Sequence, residues 1–260
     1  MKSPSPEALL DVQDLELRIG ERLLISGLDL SLRPGESLGL LGQNGSGKTT
    51  LLHSLIRLHT PARGRIHLAG QELRHWRGRA LARQVGILFQ QQQDEMPATV
   101  METVMLGRFP HLAPWRWEES RDLQLAHQAL TEMGLGALAD RQVQSLSGGE
   151  RQRLALAALL TQDPALMLLD EPANHLDSAY QISALTRLRE RLAPDRALIM
   201  ASHDINLAAR FCDRILLLDG GGGHLLGPAG EILSEDHLSR IYGHPIRAIT
   251  VDNQRYFHPA

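Results

Sequence analysis

A chain of 260 residues, 43% of them hydrophobic and with a net charge of −3, can bury a sizeable core as one large domain or two small ones. The mild negative charge offers no footing for a nucleic-acid surface, where a basic stripe is expected, and the single cysteine, Cys212, excludes an internal disulfide and fits a reducing compartment. No stretch approaches the roughly 18–20 uninterrupted apolar residues of a membrane span, and Met1–Pro6 lacks the apolar core of a signal peptide, so a cytosolic chain is expected. If it works at a membrane, another polypeptide supplies the spans.

Along residues 9–32, Leu15, Leu17 and Ile19, then Leu28, Leu30 and Leu32, alternate with polar residues. This is the pattern of half-buried antiparallel strands, with Gly20-Glu21 as the turn between them. Ser37–Leu41 is a short apolar run that ends in a glycine-rich loop, and a helix is predicted from Lys48, with Leu51, Leu52, Leu55 and Ile56 on one face. Arg65–Ala69 and Val85–Phe89 read as strands. Over 91–162 strand signals give way to helical periodicity, at Pro97–Leu106, at Ser120–Met133 and in a long helix after Glu150. The α/β rhythm then resumes: strand Ala165–Leu169, helix Ala179–Leu192, strand Ala197–Ala201, helix Ile205–Phe211, strand Arg214–Leu218. Alternating strands and helices imply a mostly parallel sheet covered on both faces. Gly220–Gly223 leads into neither a helix nor a lysine, so it reads as a flexible hairpin turn rather than a phosphate loop. The tail carries a short helix near Ser234–Tyr242 and a strand at Ile246–Val251.

The loop Gly42-Gln43-Asn44-Gly45-Ser46-Gly47-Lys48-Thr49 satisfies the full phosphate-loop pattern, with a strand before it and a helix after it. Its glycines let backbone N–H groups turn inward around phosphates, and the helix aims its positive end at them. Lys48 is predicted to reach the β- and γ-phosphates and the Thr49 hydroxyl to bind Mg²⁺. Lys2 is the one other lysine in an arginine-rich chain, which singles out an ammonium at position 48. At the end of the strand over 165–169, Asp170 is placed to hold Mg²⁺ and Glu171 to deprotonate the attacking water. Ser147-Gly148-Gly149, ahead of Glu150, makes a second helix N-terminus suited to an anion; an ordinary Ser cap with a first-turn acid is the other reading.

Leu146-Ser147-Gly148-Gly149-Glu150, set between the phosphate loop and Leu168-Leu169-Asp170-Glu171, resembles the ATP-binding cassette (ABC) ATPases, and the resemblance covers nearly the whole chain. It implies a P-loop NTPase core with an antiparallel β subdomain and a helical subdomain. One domain would span 1–260, with core segments 1–90 and 163–228, a helical subdomain at 91–162 and a C-terminal extension at 229–260. It implies a head-to-tail dimer in which Ser147, Gly148 and Gly149 of one subunit close over ATP held by the other. By the same resemblance Asp177, after Asn174-His175-Leu176, matches the D-loop, and His203 is the histidine that contacts the γ-phosphate. Gln90 matches the Q-loop that touches Mg²⁺, although Gln91–Gln93 leave its register open. The implied catalytic set is therefore Glu171, His203, Lys48 and Gln90. ATP is bound by Gly42, Asn44, Gly45, Ser46, Gly47, Lys48, Thr49 and Thr50 with Ser147, Gly148, Gly149 and Asp177. Mg²⁺ is held by Thr49, Gln90 and Asp170. One departure is Ile19, where the family usually stacks an aromatic on adenine; weaker base selectivity is expected.

Gly107-Arg108-Phe109-Pro110-His111 with Trp115, Trp117 and Asp122, Ser202-His203-Asp204-Ile205-Asn206 running on to Phe211-Cys212-Asp213, and the late Tyr242-Gly243 and Phe257-His258-Pro259 resemble the ATPases of type II importers. That subgroup implies iron–siderophore, haem or cobalamin-type cargo, membrane-spanning permease subunits, a periplasmic or surface binding protein acting indirectly, and a peripheral position on the cytoplasmic face of the inner membrane. Metal-ion or molybdate-type import is the nearest alternative. A soluble ABC protein acting on ribosomes or DNA fits less well, since this chain has one cassette and no basic linker. Phe109, Trp115 and Trp117 are either docking anchors for the permease or packed within the helical block.

Overall fold

The structure is a computed structural model and describes residues 7–90, 97–112, 119–192, 195–252 and 254–260. The chain forms two compact units, one made of the segments up to Trp76 and from Leu192 onward, the other of Arg77–Arg191.

The first unit opens with β1 (Leu10–Ile19) and β2 (Arg22–Leu32), paired antiparallel around the Gly20-Glu21 turn. Alternation has the predicted effect: Leu15, Leu17, Leu28, Leu30 and Leu32 are buried. Ile19, at the strand end, is 58% exposed and lies opposite Arg22. The apolar β3 (Ser37–Gly42) is buried along its whole length and leads into α1 (Lys48–Leu55), which buries Leu51, Leu52 and Leu55. β4 (Arg63–Leu68) and β5 (Gln71–Glu72) complete a sheet of order β2-β1-β4-β5.

The second unit runs through α2 (Gly78–Gln84), β6 (Val85–Leu88), α3 (Val100–Met105), α4 (Ser120–Glu132), α5 (Gly148–Gln162), β7 (Leu166–Asp170) and α6 (Ser178–Glu190). β6 and β7 are parallel, with Leu88 beside Leu169. The helix predicted over 97–106 begins only at Val100, because Thr99 caps it: Thr99 Oγ1 accepts from the Glu102 backbone N–H at 3.2 Å, and Glu102 returns a bond to the Thr99 N–H at 2.7 Å. α2 has no counterpart in the sequence reading. Its anchors are distant: Gln162 Nε2 donates to the Ala82 and Val85 carbonyls at 2.7 and 3.0 Å, and Arg79 and Arg83 both donate to the Pro110 carbonyl. Around α5 the packing explains part of the Gly107–His111 motif. A Cβ on Gly107 would stand 2.3 Å from the Ala158 carbonyl oxygen, so only glycine lets the chain pass. The buried Arg108 guanidinium pairs with Asp122 at 2.7 Å and donates to the Thr161 carbonyl at 3.1 Å.

The first unit resumes with β8 (Ala197–Ala201), α7 (Ile205–Phe211), β9 (Arg214–Leu218), β10 (His224–Pro228), α8 (Ala229–Ile232), α9 (Glu235–Tyr242), β11 (Ile246–Val251) and β12 (Gln254–Pro259). Its strands lie in the order β10-β9-β3-β8, with β3 parallel to both neighbours and β10 antiparallel at the edge. Cys212 caps α7 and is buried, as a small core residue. The strand expected at 246–251 is one arm of a hairpin whose second arm, β12, the sequence reading did not anticipate.

Candidate functional site

In the first unit, β3 delivers the chain to the phosphate loop at the C-terminal edge of a parallel sheet, the edge at which α/β proteins bind ligands. Gly42, Gly45 and Gly47 have φ of 146°, 75° and 109°. A Cβ on Gly42 would stand 2.6 Å from the Leu218 carbonyl oxygen and 2.7 Å from Ser46 Oγ, so the turn admits no side chain there. The buried Lys48 ammonium folds back into the loop and donates to the Gly42 and Gln43 carbonyls at 2.9 and 3.3 Å. Ser46 Oγ is buried with no hydrogen-bond partner among the described residues. α1 has Gly47 as its N-cap and no side-chain cap. A glycine-formed concavity, a helix start without a side-chain cap, an orphaned hydroxyl and an adjacent ammonium together make an anion site. Thr49 and Thr50 lie half-buried on the first turn of α1, and Asn44 and Gly45 are exposed at the rim.

β8 runs parallel beside β3, so the turn after it leaves by the same sheet edge. The Ser202 N–H donates to the Leu40 carbonyl at 3.1 Å, and Ser202 Oγ accepts from the Asp204 N–H at 3.0 Å. Asp204 in turn caps α7 through the Asn206 and Leu207 N–H groups. His203 stands exposed on this fixed turn.

In the second unit, Asp170 ends β7 and Glu171 follows it, 2% and 8% exposed. Glu171 and His175 have φ of 54° and 65°, a left-handed backbone that costs on the order of 1–3 kcal/mol per residue and concentrates at functional turns. The turn is braced from α5 and α6: Gln152 Nε2 donates to the Pro172 carbonyl and Gln181 Nε2 to the Ala173 carbonyl, each at 3.0 Å. Because β6 lies parallel beside β7, Gln90, just past β6, leaves by the same edge as Asp170 and is exposed; the alternatives Gln91–Gln93 lie outside the described residues.

Ser147 caps α5 with a complete reciprocal box. Its Oγ accepts from the Glu150 N–H at 3.3 Å, and Glu150 accepts from the Ser147 N–H at 2.7 Å. These bonds, the backbone one foremost, hold the Glu150 carboxyl below its ordinary pKa. Gly149 lies against the turn 174–177, where an added Cβ would be 3.1 Å from the His175 carbonyl oxygen. Asp177 caps α6 through the Tyr180 N–H at 3.0 Å. The Ser-cap reading is thus realised, and it leaves the exposed positive end of a helix in place.

Three features escaped the sequence reading. Gly220 backs the phosphate loop, its hypothetical Cβ 3.5 Å from Ser46 Cα; the glycine run is a hairpin turn, as read, and also a wall. That turn is fixed by Asp219, whose Oδ1 accepts from the Gly221 and Gly223 N–H groups at 2.7 and 2.9 Å, and the Asp219 preceding the glycines was the available signal. Arg22 places Nη1 3.6 Å from where a Gly45 Cβ would be, beside the exposed Ile19. Gln43 Nε2 donates to the Ile241 carbonyl at 2.8 Å.

The sequence profile described as "ABC transporter" matches residues 25–174, more than half of the chain. The chain belongs to the ABC transporter family. Within that family it is 39% identical over 240 residues to the hemin import ATP-binding protein HmuV of Pseudomonas aeruginosa, a match covering 90% of this chain and 92% of the other. It is 36% identical over 251 residues to the ferric enterobactin transport ATP-binding protein FepC of Escherichia coli K12, covering 95% and 90%. A metal-chelate type ABC transporter solved in an inward-facing conformation superposes with a TM-score of 0.83 at 28% identity, over 97% of this chain and 98% of that one. The α/β P-loop NTPase fold is that of the ABC ATPases, and the chain is an ATP-binding, ATP-hydrolysing member. No helix among the described residues is long and apolar enough to cross a membrane.

Proposed function

We propose that this protein is the ATP-hydrolysing subunit of a type II importer for iron–siderophore, haem or similar chelate cargo. It works as a head-to-tail homodimer on the cytoplasmic face of the inner membrane, bound to permease subunits that receive cargo from a periplasmic or surface binding protein, with no role for nucleic acid. The observation that carries the reading is the likeness, along nine-tenths or more of relatives named for hemin and ferric enterobactin, of a chain that holds both a phosphate loop and a second exposed helix start at Ser147.

The phosphates of ATP sit in the 42–47 loop, where Ser46 Oγ gains the partner it lacks and the α1 N-terminus, which has no side-chain cap, faces them. Lys48 exchanges its loop carbonyls for the β- and γ-phosphates. Thr49, Asp170 and Gln90 offer hydroxyl, carboxylate and amide oxygens, the hard donors that Mg²⁺ takes. When bound, Mg²⁺ neutralises charge developing between the β- and γ-phosphates. Glu171 takes the proton of the attacking water, His203 stabilises the transferred phosphoryl group, and Ser147, Gly148, Gly149 and Asp177 of the partner subunit close the site. Closure is favoured by ATP and not by ADP, and this differential binding drives the permease. Docking falls to the second unit's exposed apolar residues, Leu106 and Phe109, which are 68% and 70% exposed; Trp115 and Trp117 lie outside the described residues.

Co-purification from native membranes in mild detergent tests this. A polytopic membrane protein recovered with the chain, and ATP hydrolysis stimulated by loaded binding protein, is the expected result. Recovery only with ribosomes or nucleic acid would overturn it.

A further inference from the structure

The phosphate loop and the His203 turn are tied to one another through the C-terminal segment by an unbroken series of hydrogen bonds within the first unit. The series starts at Gln43, whose side chain donates to the Ile241 carbonyl at 2.8 Å. That carbonyl belongs to the last turn of α9, where helix carbonyls lack intrahelical partners, so Gln43 serves as a cap supplied from 198 positions away. α9 is fixed to the terminal hairpin: the Ile246 N–H donates to Ser239 Oγ and the Ala248 N–H to Glu235 Oε1, each at 2.8 Å. The hairpin is fixed to α7 by Asn206, whose amide donates to the Phe257 carbonyl at 3.0 Å and accepts the Phe257 N–H at 2.7 Å. α7 is the helix whose Asp204 cap holds the turn carrying His203.

We propose that residues 229–260 act as a brace that sets the position of the phosphate loop relative to the His203 turn, with Gln43 and Asn206 as the positioning residues at its two ends. The inference rests on the ATP-hydrolysing reading and adds to it a role for the C-terminal segment in nucleotide affinity. Gln43 lies on the loop's solvent side and is exposed, so losing its bond to Ile241 leaves the fold intact and frees the loop. Removing either tie releases the same brace. The two substitutions are therefore expected to be non-additive, which independent local damage is not.

The test is a double-mutant cycle on the full chain with Gln43→Ala and Asn206→Ala, reading ATP affinity by calorimetry, KM and kcat by turnover, and melting temperature. Each single variant is expected to weaken ATP binding and raise KM about two- to tenfold, the span of a net hydrogen bond, with kcat within about twofold. The double variant is expected to be no weaker than the weaker single. If Asn206→Ala melts far below the wild type, Asn206→Asp, which keeps the acceptor for the Phe257 N–H, replaces it and is expected to lie between. Wild-type affinity in Gln43→Ala, or a double variant whose loss is the product of the singles, overturns the brace while the ATPase reading stands. A wild-type protein that neither binds nor hydrolyses ATP overturns both.

Discussion

The two helix starts that face nucleotide in the proposed cycle are finished in opposite ways. α1 begins at a left-handed glycine with no side-chain cap, beside the orphaned Ser46 hydroxyl and a lysine folded back onto loop carbonyls. α5 begins at Ser147 with both bonds of a capping box made and an acid in its first turn. The first is completed by a ligand; the second is complete in itself and adds only the field of its N-terminus. The difference suits the parts proposed for them: the loop to hold the nucleotide's phosphates, the Ser147 segment to meet ATP only when two subunits close.

The largest effect expected bears on neither helix start but on the hydrolytic step itself. Glu171→Gln should lower turnover by about 10²–10⁴-fold with ATP affinity nearly unchanged, measured by phosphate release and calorimetry. Normal turnover would remove Glu171 as the base. Next is the contrast between glycines. Gly42→Ala, at φ 146° and against the Leu218 carbonyl, should cost about 2–3 kcal/mol and abolish ATP binding. Gly148→Ala, whose Cβ would meet nothing nearer than 3.9 Å, should melt within a degree or so of the wild type. Equal melting temperatures for the two would break the contrast. Ser147→Ala should cost about 1 kcal/mol, a fall of roughly 2–4 °C in Tm, in addition to its loss of turnover. The smallest effect concerns the first-turn acid. Glu150's carboxyl is held below its ordinary 4.5 in the fold, so its contribution is present above that value and is lost as pH falls through the depressed one. Urea melts should show Glu150→Ala a few tenths of a kcal/mol less stable at pH 7, solvent screening being allowed for, with the gap closing as pH falls below about 4.5. A gap that persists in acid would mean the residue acts by packing.

Features set by neighbours in the chain were legible in the sequence; those set by distant partners were not. The phosphate loop, the Ser147-to-Glu150 spacing, the alternation of β1 and β2 and the apolar runs of β3, β7 and β8 are local patterns with local causes. α2 has a single buried residue, Leu81, and owes its place to side chains at 79, 83 and 162 meeting carbonyls far along the chain, so no periodicity announces it. The left-handed backbone at Glu171 had no signal either, because a carboxylate there breaks the preference for glycine. The Gly220 wall and the Gln43 tie each join residues more than 170 positions apart, beyond the reach of any motif.

The scarcity of lysine gives the phosphate loop a chemical handle. Lys48 is one of two lysines in the chain and is buried against two carbonyls, while every other cation along the chain is an arginine or a histidine. An amine-selective acylating reagent therefore finds its targets in the N-terminal segment and in the loop itself. Mass-resolved labelling at position 48, with and without ATP, reads the loop's occupancy directly, with no engineered probe and with the rest of the surface silent.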